Sequence, residues 1–308
     1  MELSGHITNT AAELHAARQA LDSGSISDAF QRLNKLKQRR VRHRGVDYLR
    51  ALCFVEMGQR DAAIEAAKEE LRFFDTKKAS LLLEWLLPYV HRQSSNRDEE
   101  FTRLFKAIRP FTMVGEPRLW SLFTLARSIC VEDVPGDFVE CGVAAGGSSA
   151  LLAAVIRRHS KRERRLFAFD TFEGMPAPSV LDTHGGRAAN ETGWGTGTCA
   201  AAETSLQEIC RILDVNDIVQ PVKGLFADTL PRISGRPIAM LHMDGDWYRS
   251  TLDILENLYD SVVPGGFIQV DDYGHWEGCR RAVHEFFETH SLSPSLETID
   301  YGGVWLRK

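Results

Sequence analysis

The stretch LHMDGDWYRST, Leu241 to Thr251, decides the fold. With Ile238, Ala239 and Met240 before it, an apolar run climbs to Asp244, Gly245 and Asp246, then gives way to a helical pattern over Ser250 to Tyr259. A short apolar run bounded by glycine and acids predicts a buried strand. The helix behind it predicts a strand–turn–helix unit. The arrangement returns further on. Gly266-Phe267-Ile268-Gln269-Val270 predicts another strand, ends in Asp271 and Asp272, and precedes a helix over Gly278 to Thr289. Two buried strands that each finish in two carboxylates gather charge at one edge of a sheet. Such charge needs a partner.

Working outward, Asp137 to Val143 and Arg165 to Phe169 read as strands, with a helix over Ser148 to His159 between them. Ala202 to Leu213 reads as a helix, Ile218 to Val222 as extended chain, and Leu296 to Leu306 as a hairpin. Strands alternating with helices predict an α/β fold: a mostly parallel, Rossmann-like sheet with helices on both faces. The closing hairpin would add an antiparallel edge.

The N-terminal part has a different texture, all helical. Gly24 and Gly58, and again Ala29 and Ala63, recur at the about 34-residue period of a tetratricopeptide repeat. Leu14, Ala17 and Leu21, then Leu49, Leu52 and Met57, supply apolar faces, and Ala79 to Trp85 would cap the stack. The basic run Lys35 to Arg44 reads as a solvated face. The polar stretch Gln93 to Glu100 breaks the pattern and predicts a helical domain over 1–95 and an α/β domain over 96–308.

A formal charge of −5 argues against a nucleic-acid binder. No apolar run is long enough to span a membrane. The N-terminal sequence lacks a signal-peptide pattern, and the six cysteines are scattered, which predicts reduced thiols in a cytoplasmic protein.

In such sheets ligands bind beyond the carboxyl ends of the strands. The first strand ends in Glu140-Cys141-Gly142-Val143-Ala144-Ala145-Gly146-Gly147-Ser148-Ser149, a glycine-rich turn that admits close backbone approach. Its spacing is not that of a dinucleotide fingerprint, and no phosphate-loop lysine follows. The second strand ends in Asp170-Thr171-Phe172-Glu173-Gly174-Met175-Pro176, and Asp170 is suitably placed to hold ribose hydroxyls.

Five segments now occur in a recognisable order: Thr112 to Gly115, Gly136 to Val143, Asp170 to Pro176, Asp244 to Tyr248 and Asp271 to Gly274. From about Thr112 onward the chain resembles the S-adenosylmethionine-dependent O-methyltransferases that act on sugars of macrolides and aminocoumarins. The resemblance implies a class I methyltransferase fold, S-adenosylmethionine as methyl donor and a divalent metal, usually Mg²⁺. It implies Thr112 and Met113 beside the methionine part, Glu140, Gly142, Ser148 and Ser149 along the first turn, Asp170 on the ribose, and Phe172 and Glu173 near the adenosine. Ala144-Ala145 departs from the bulkier pair common in the relatives.

The paired aspartates then have a reading. Asp244, Asp271 and Asp272 would converge on Mg²⁺, whose octahedral shell suits carboxylate oxygen and water. Asp246, expected to share a face with Asp244, is the candidate general base together with Asp244, and His275 is a second candidate. The loop from Pro176 to Ala200 predicts a lid, with Trp194 either covering a sugar or anchoring the loop. The expected acceptor is a sugar or glycoside hydroxyl. A protein partner or self-association is expected through the N-terminal helices, with a homo-oligomer as the assembly. The rival readings are a catechol-type methyltransferase and a non-catalytic nucleoside-binding scaffold.

Overall fold

The computed structural model describes residues 2–38, 43–57, 59–74, 76–86 and 99–308. The chain divides into two compact units, Met1–Ser95 and Asn96–Lys308. Gly58, residues 39–42 of the basic run and residues 93–98 of the polar stretch lie outside the described residues.

The first unit comprises α1 (Glu2–Asp22), α2 (Ile26–Gln38), α3 (Val46–Glu56), α4 (Arg60–Phe73) and α5 (Lys77–Leu86), each packed on the next. Gly24, at φ 79°, makes the tight turn between α1 and α2. Ala29 in α2 and Ala63 in α4 are both fully buried. Glu70 is buried in α4 and accepts the Gly45 and Tyr48 N–H groups at the start of α3, satisfying donors that the helix cannot.

In the second unit, α6 (Glu99–Ile108) and α7 (Glu116–Glu132) precede the sheet. Its elements are β1 (Asp137–Cys141), α8 (Gly147–His159), β2 (Leu166–Asp170), the short hairpin β3 (Thr183–His184) and β4 (Arg187–Ala188), α9 (Ala189–Thr192) and α10 (Glu203–Ile212). They continue with β5 (Val219–Lys223), α11 (Phe226–Thr229), β6 (Ile238–Met243), α12 (Tyr248–Leu258), β7 (Val262–Val270), α13 (Glu277–Thr289), β8 (Glu297–Thr298) and β9 (Val304–Arg307). The sheet order is β5-β2-β1-β6-β7-β9-β8. The first five strands in that order are parallel, and β9 returns antiparallel to β7. Strand order therefore reverses between β1 and β6, which makes their carboxyl ends the switch point where a ligand crevice opens.

Pleating sorts the side chains. Phe138, Leu166, Ala168, Met240 and Phe267 face one apolar layer with α7, α8 and α10. Val139, Phe169, Leu241, Met243, Ile268 and Val270 face the other, with α12 and α13. The expected strands and helices are present within a few residues of their bounds, and β7 begins earlier than expected, at Val262. Helix α7 and the β3–β4 hairpin were not expected. Among the described residues no helix is long and apolar enough to cross a membrane.

At the switch point β1 and β6 run so close that a Cβ on Gly142 would collide with the Asp244 carbonyl, and Gly142 holds φ 94°. Gly142→Ala should therefore cost about 2–5 kcal/mol, combining left-handed strain with overpacking. Urea unfolding measures it, and wild-type stability would show that the two strand ends can separate.

Candidate active site

The turn after β1 is built by glycine and by Asp170. Gly146, at φ 93°, caps α8. A Cβ on Gly147 would press on the Phe111 carbonyl and on Thr112, both at 2.8 Å, so the Thr112–Gly115 segment lies against the start of α8. Met113 beside it is 61% exposed, an apolar side chain left at the surface. Asp170 Oδ2 accepts the Val143 N–H (2.7 Å) and the Ala144 N–H (2.9 Å), and Oδ1 accepts that of Phe172 (2.7 Å). The carboxylate thus ties the ends of β1 and β2 together. Phe172, in left-handed conformation at φ 54°, is buried in the apolar layer. Glu173 stands at the surface, paired with Lys223 at the end of β5 (2.7 Å).

The first-strand residues turn inward. Glu140 and Ser149 are fully buried and bonded to each other, Ser149 donating. Ser148 is buried as well. Glu140 thus ties β1 to the first turn of α8 through Ser149.

At the ends of β6 and β7 the four aspartates meet, in two overlapping groups. Oxygens of Asp244, Asp246 and Asp272 lie within 4.8 Å of one another, and so do ligand atoms of His242, Asp244 and Asp271. Alternation explains the split: Asp271 follows Gln269 on one face of β7, and Asp272 falls on the other. Asp246 joins by a different route from the one expected. The strand ends at Met243, and Asp246 sits at φ 57°, so a left-handed turn and not extended chain returns it to Asp244. The Trp276 indole N–H donates to Asp246 Oδ1 (3.0 Å), and Asp272 Oδ2 accepts the Asp246 N–H (3.2 Å).

Burial and the neighbouring acids Asp271, Asp272 and Asp246 push the Asp244 carboxyl well above the usual carboxylate range. Burial and Asp271 push Asp272 up to about 6. Burial opposes charge on Asp271 too, but Arg118 and His242 hold it below its ordinary value. Arg118, from α7, donates to the Asp271 carboxylate and to its carbonyl (3.1 Å), and pairs with Asp300 at 3.2 Å. His242 lies between Glu140 (2.8 Å) and Asp271 (3.4 Å). Burial disfavours the charged ring, yet the two carboxylates outweigh it and lift His242 to about 9.

His275 stacks on His184 of the β3–β4 hairpin, ring centroids 4.3 Å apart, and His184 Nδ1 donates to the His275 carbonyl (2.7 Å). The loop between Pro176 and Ala200 is therefore fastened to the chain that follows β7. Asp182 fastens it again, accepting the Tyr248 N–H (2.6 Å) at the start of α12 and the Ser179 N–H and hydroxyl. Trp194 packs partly buried against the apolar layer, the anchoring alternative.

Arg118, His242, Asp182 and Trp276 were missed in the sequence. His242 carried a signal, being the one polar side chain inside an apolar strand. Arg118 carried none, because its partners lie far along the chain.

A sequence profile of the macrocin-O-methyltransferase family matches residues 63–308. The match begins in α4, earlier than the resemblance from Thr112 suggested. A tetracenomycin-C 4'-O-methyltransferase of Streptomyces olivaceus, acting on a dimethoxyrhamnosyl form, is 38% identical over 199 residues, 64% of this chain and 75% of that protein. The demethyldecarbamoylnovobiocin O-methyltransferase of Streptomyces niveus is 34% identical over 223 residues, 71% and 84% of the two chains. Among solved structures, the O-methyltransferase NovP is 34% identical with a TM-score of 0.57, over 64% of this chain and 82% of that one. The calicheamicin methyltransferase CalS11, 22% identical with a TM-score of 0.53 over 70% and 96%, shares the fold.

Asp170→Ala leaves three backbone donors without their carboxylate. S-adenosylhomocysteine affinity should fall about ten- to hundredfold, the scale of hydrogen bonds to a charged group. Isothermal titration reads the loss, and an unchanged affinity would detach Asp170 from the cofactor site.

Proposed function

This chain belongs to the macrocin-O-methyltransferase family, S-adenosylmethionine-dependent O-methyltransferases, and from that premise we propose that it methylates a sugar hydroxyl of a secondary metabolite with the help of a divalent cation. The single observation that carries the cation is the convergence of four aspartates at two neighbouring strand ends beside the cofactor turn. The tetracenomycin relative acts on a rhamnosyl form, which supports a sugar over a catechol acceptor.

The cofactor is proposed to rest on the turn Gly142–Gly147 and the start of α8, with Thr112 and Met113 beside its methionine part. Asp170 would serve the ribose, and Phe172 and Glu173 the adenosine end. Bound there, the cofactor would supply an electrophilic methyl group on its sulfonium sulfur, and the acceptor hydroxyl would give up its proton as its oxygen takes that group from the sulfur. Most of the rate comes from holding oxygen, methyl carbon and sulfur in line.

Mutual repulsion among buried carboxylates is relieved by a cation, and a donor set made of carboxylate oxygen fits a hard ion such as Mg²⁺. Asp244, Asp271 and Asp272 would hold it. When bound, such an ion lowers the pKa of a coordinated hydroxyl and orients it. We assign the departing proton to Asp246, because the Trp276 indole fixes its carboxylate next to Asp244. His275 is packed against His184 and Trp276, which favours a role in seating the loop.

We also propose that Asn96–Lys308 holds both ligand sites, while the helical unit, whose repeat-like build supports the tetratricopeptide reading, recruits a protein partner or a second copy. A chain beginning at Asn96 should bind S-adenosylhomocysteine like the full chain. Loss of binding in a folded truncation would make the helices part of the site.

EDTA should abolish methyl transfer and Mg²⁺ restore it. Asp246→Ala should keep cation and cofactor affinity while the rate falls about 10²–10⁴-fold. Full activity in EDTA with no Mg²⁺ bound by titration would end the cation reading, and an undiminished rate in Asp246→Ala would end the base assignment.

A further inference from the structure

Beneath the acid cluster lies a row of polar side chains that methyl transfer does not itself employ. Glu140, His242 and Gln269 stand in register across β1, β6 and β7, and all three are fully buried. Burying such groups is costly unless each has a partner. The partners here lead in two directions. His242 Nδ1 is 2.8 Å from Glu140 Oε1, and Nε2 is 3.4 Å from Asp271 Oδ1. The ring thus bridges two carboxylates, Nδ1 facing Glu140 and Nε2 facing Asp271. Glu140 also takes the Ser149 hydroxyl in the first turn of α8, beside the glycine turn. Asp271 Oδ2 is held by Arg118, so the contact from His242 bears on Oδ1, where Gln269 Nε2 also donates (3.4 Å).

We propose that His242 is a positioning residue joining the two halves of the site, its Nε2 side fixing Asp271 for a divalent cation and its Nδ1 side fixing Glu140, Ser149 and the start of α8 for the cofactor. The Asp271 half rests on the cation reading above. A histidine that only filled the core would have no such division.

Two substitutions in the full chain separate the halves. The side-chain amide of glutamine reaches about as far as Nε2, and that of asparagine about as far as Nδ1. His242→Gln thus keeps the donor to Asp271, and His242→Asn keeps the donor to Glu140. Mn²⁺, titrated by electron paramagnetic resonance, reports the cation half. S-adenosylhomocysteine, titrated calorimetrically in EDTA, reports the other. His242→Gln should bind Mn²⁺ within about threefold of wild type and lose about tenfold or more in S-adenosylhomocysteine affinity, and His242→Asn should do the converse, the usual scale for an outer-shell partner.

Equal losses of both ligands in both variants, no loss in either, or the reverse pattern would overturn the proposal. Ser149→Ala removes only a hydroxyl and serves if a His242 variant fails to fold. Weaker S-adenosylhomocysteine binding with Mn²⁺ affinity unchanged supports the proposal, and any other outcome overturns it. Wild-type protein that binds no Mn²⁺ would remove the cation reading and the Asp271 half with it. Wild-type Mn²⁺ binding with unresponsive variants would remove only the role of His242.

Discussion

The contact between Gly142 and the Asp244 carbonyl is the constraint on which the site depends. Two parallel strands with a side chain at that position would be pushed apart by the width of a methyl group. Without one, the turn after β1 and the acid pair after β6 share a single wall. The hydrogen bonds from Asp244 N to the Cys141 carbonyl and from Asp271 N to the Met243 carbonyl, both 2.8 Å, carry the ladder past the strand ends into both motifs. A glycine turn and an acid cluster formed this way cannot drift independently.

Charge is the second constraint. Asp244, Asp246, Asp271, Asp272 and Glu140 crowd one corner of the fold. Arg118 and His242 answer two of them, Asp271 and Glu140, from below. The others lie together at the strand ends, where Asp244 and Asp272 are hard to ionise. Charge in this corner is therefore balanced unevenly, with Asp271 held directly by Arg118 and His242.

Strain marks the same corner. Ala144, Phe172 and Asp246 hold left-handed conformations, one after each of β1, β2 and β6. Such residues cost energy and persist only where their surroundings fix them. Asp170 fixes the first two through their N–H groups, and Asp272 with Trp276 fixes the third. The acids at the strand ends thus shape the backbone around them.

Much of this was legible in the sequence. Apolar runs ending in glycine or aspartate, each followed by a helix, give strand–turn–helix units, because burial of a parallel strand leaves no other pattern. Asp244, Asp246, Asp271 and Asp272 stand out because acids directly after apolar runs are conspicuous. What the sequence by itself determined is local: which segments are strands, which residues stand at their ends, and that the turn after β1 is rich in glycine. Only the tertiary structure decided which residues meet. It set Asp271 on Arg118 and His242 but Asp272 on Asp246, and it returned Asp246 through a left-handed turn that strand periodicity cannot foresee. It laid Glu140, His242 and Gln269 in one row. Register, pleat side and the reach of a helix from outside the sheet fix such meetings, and these arise only when distant segments pack.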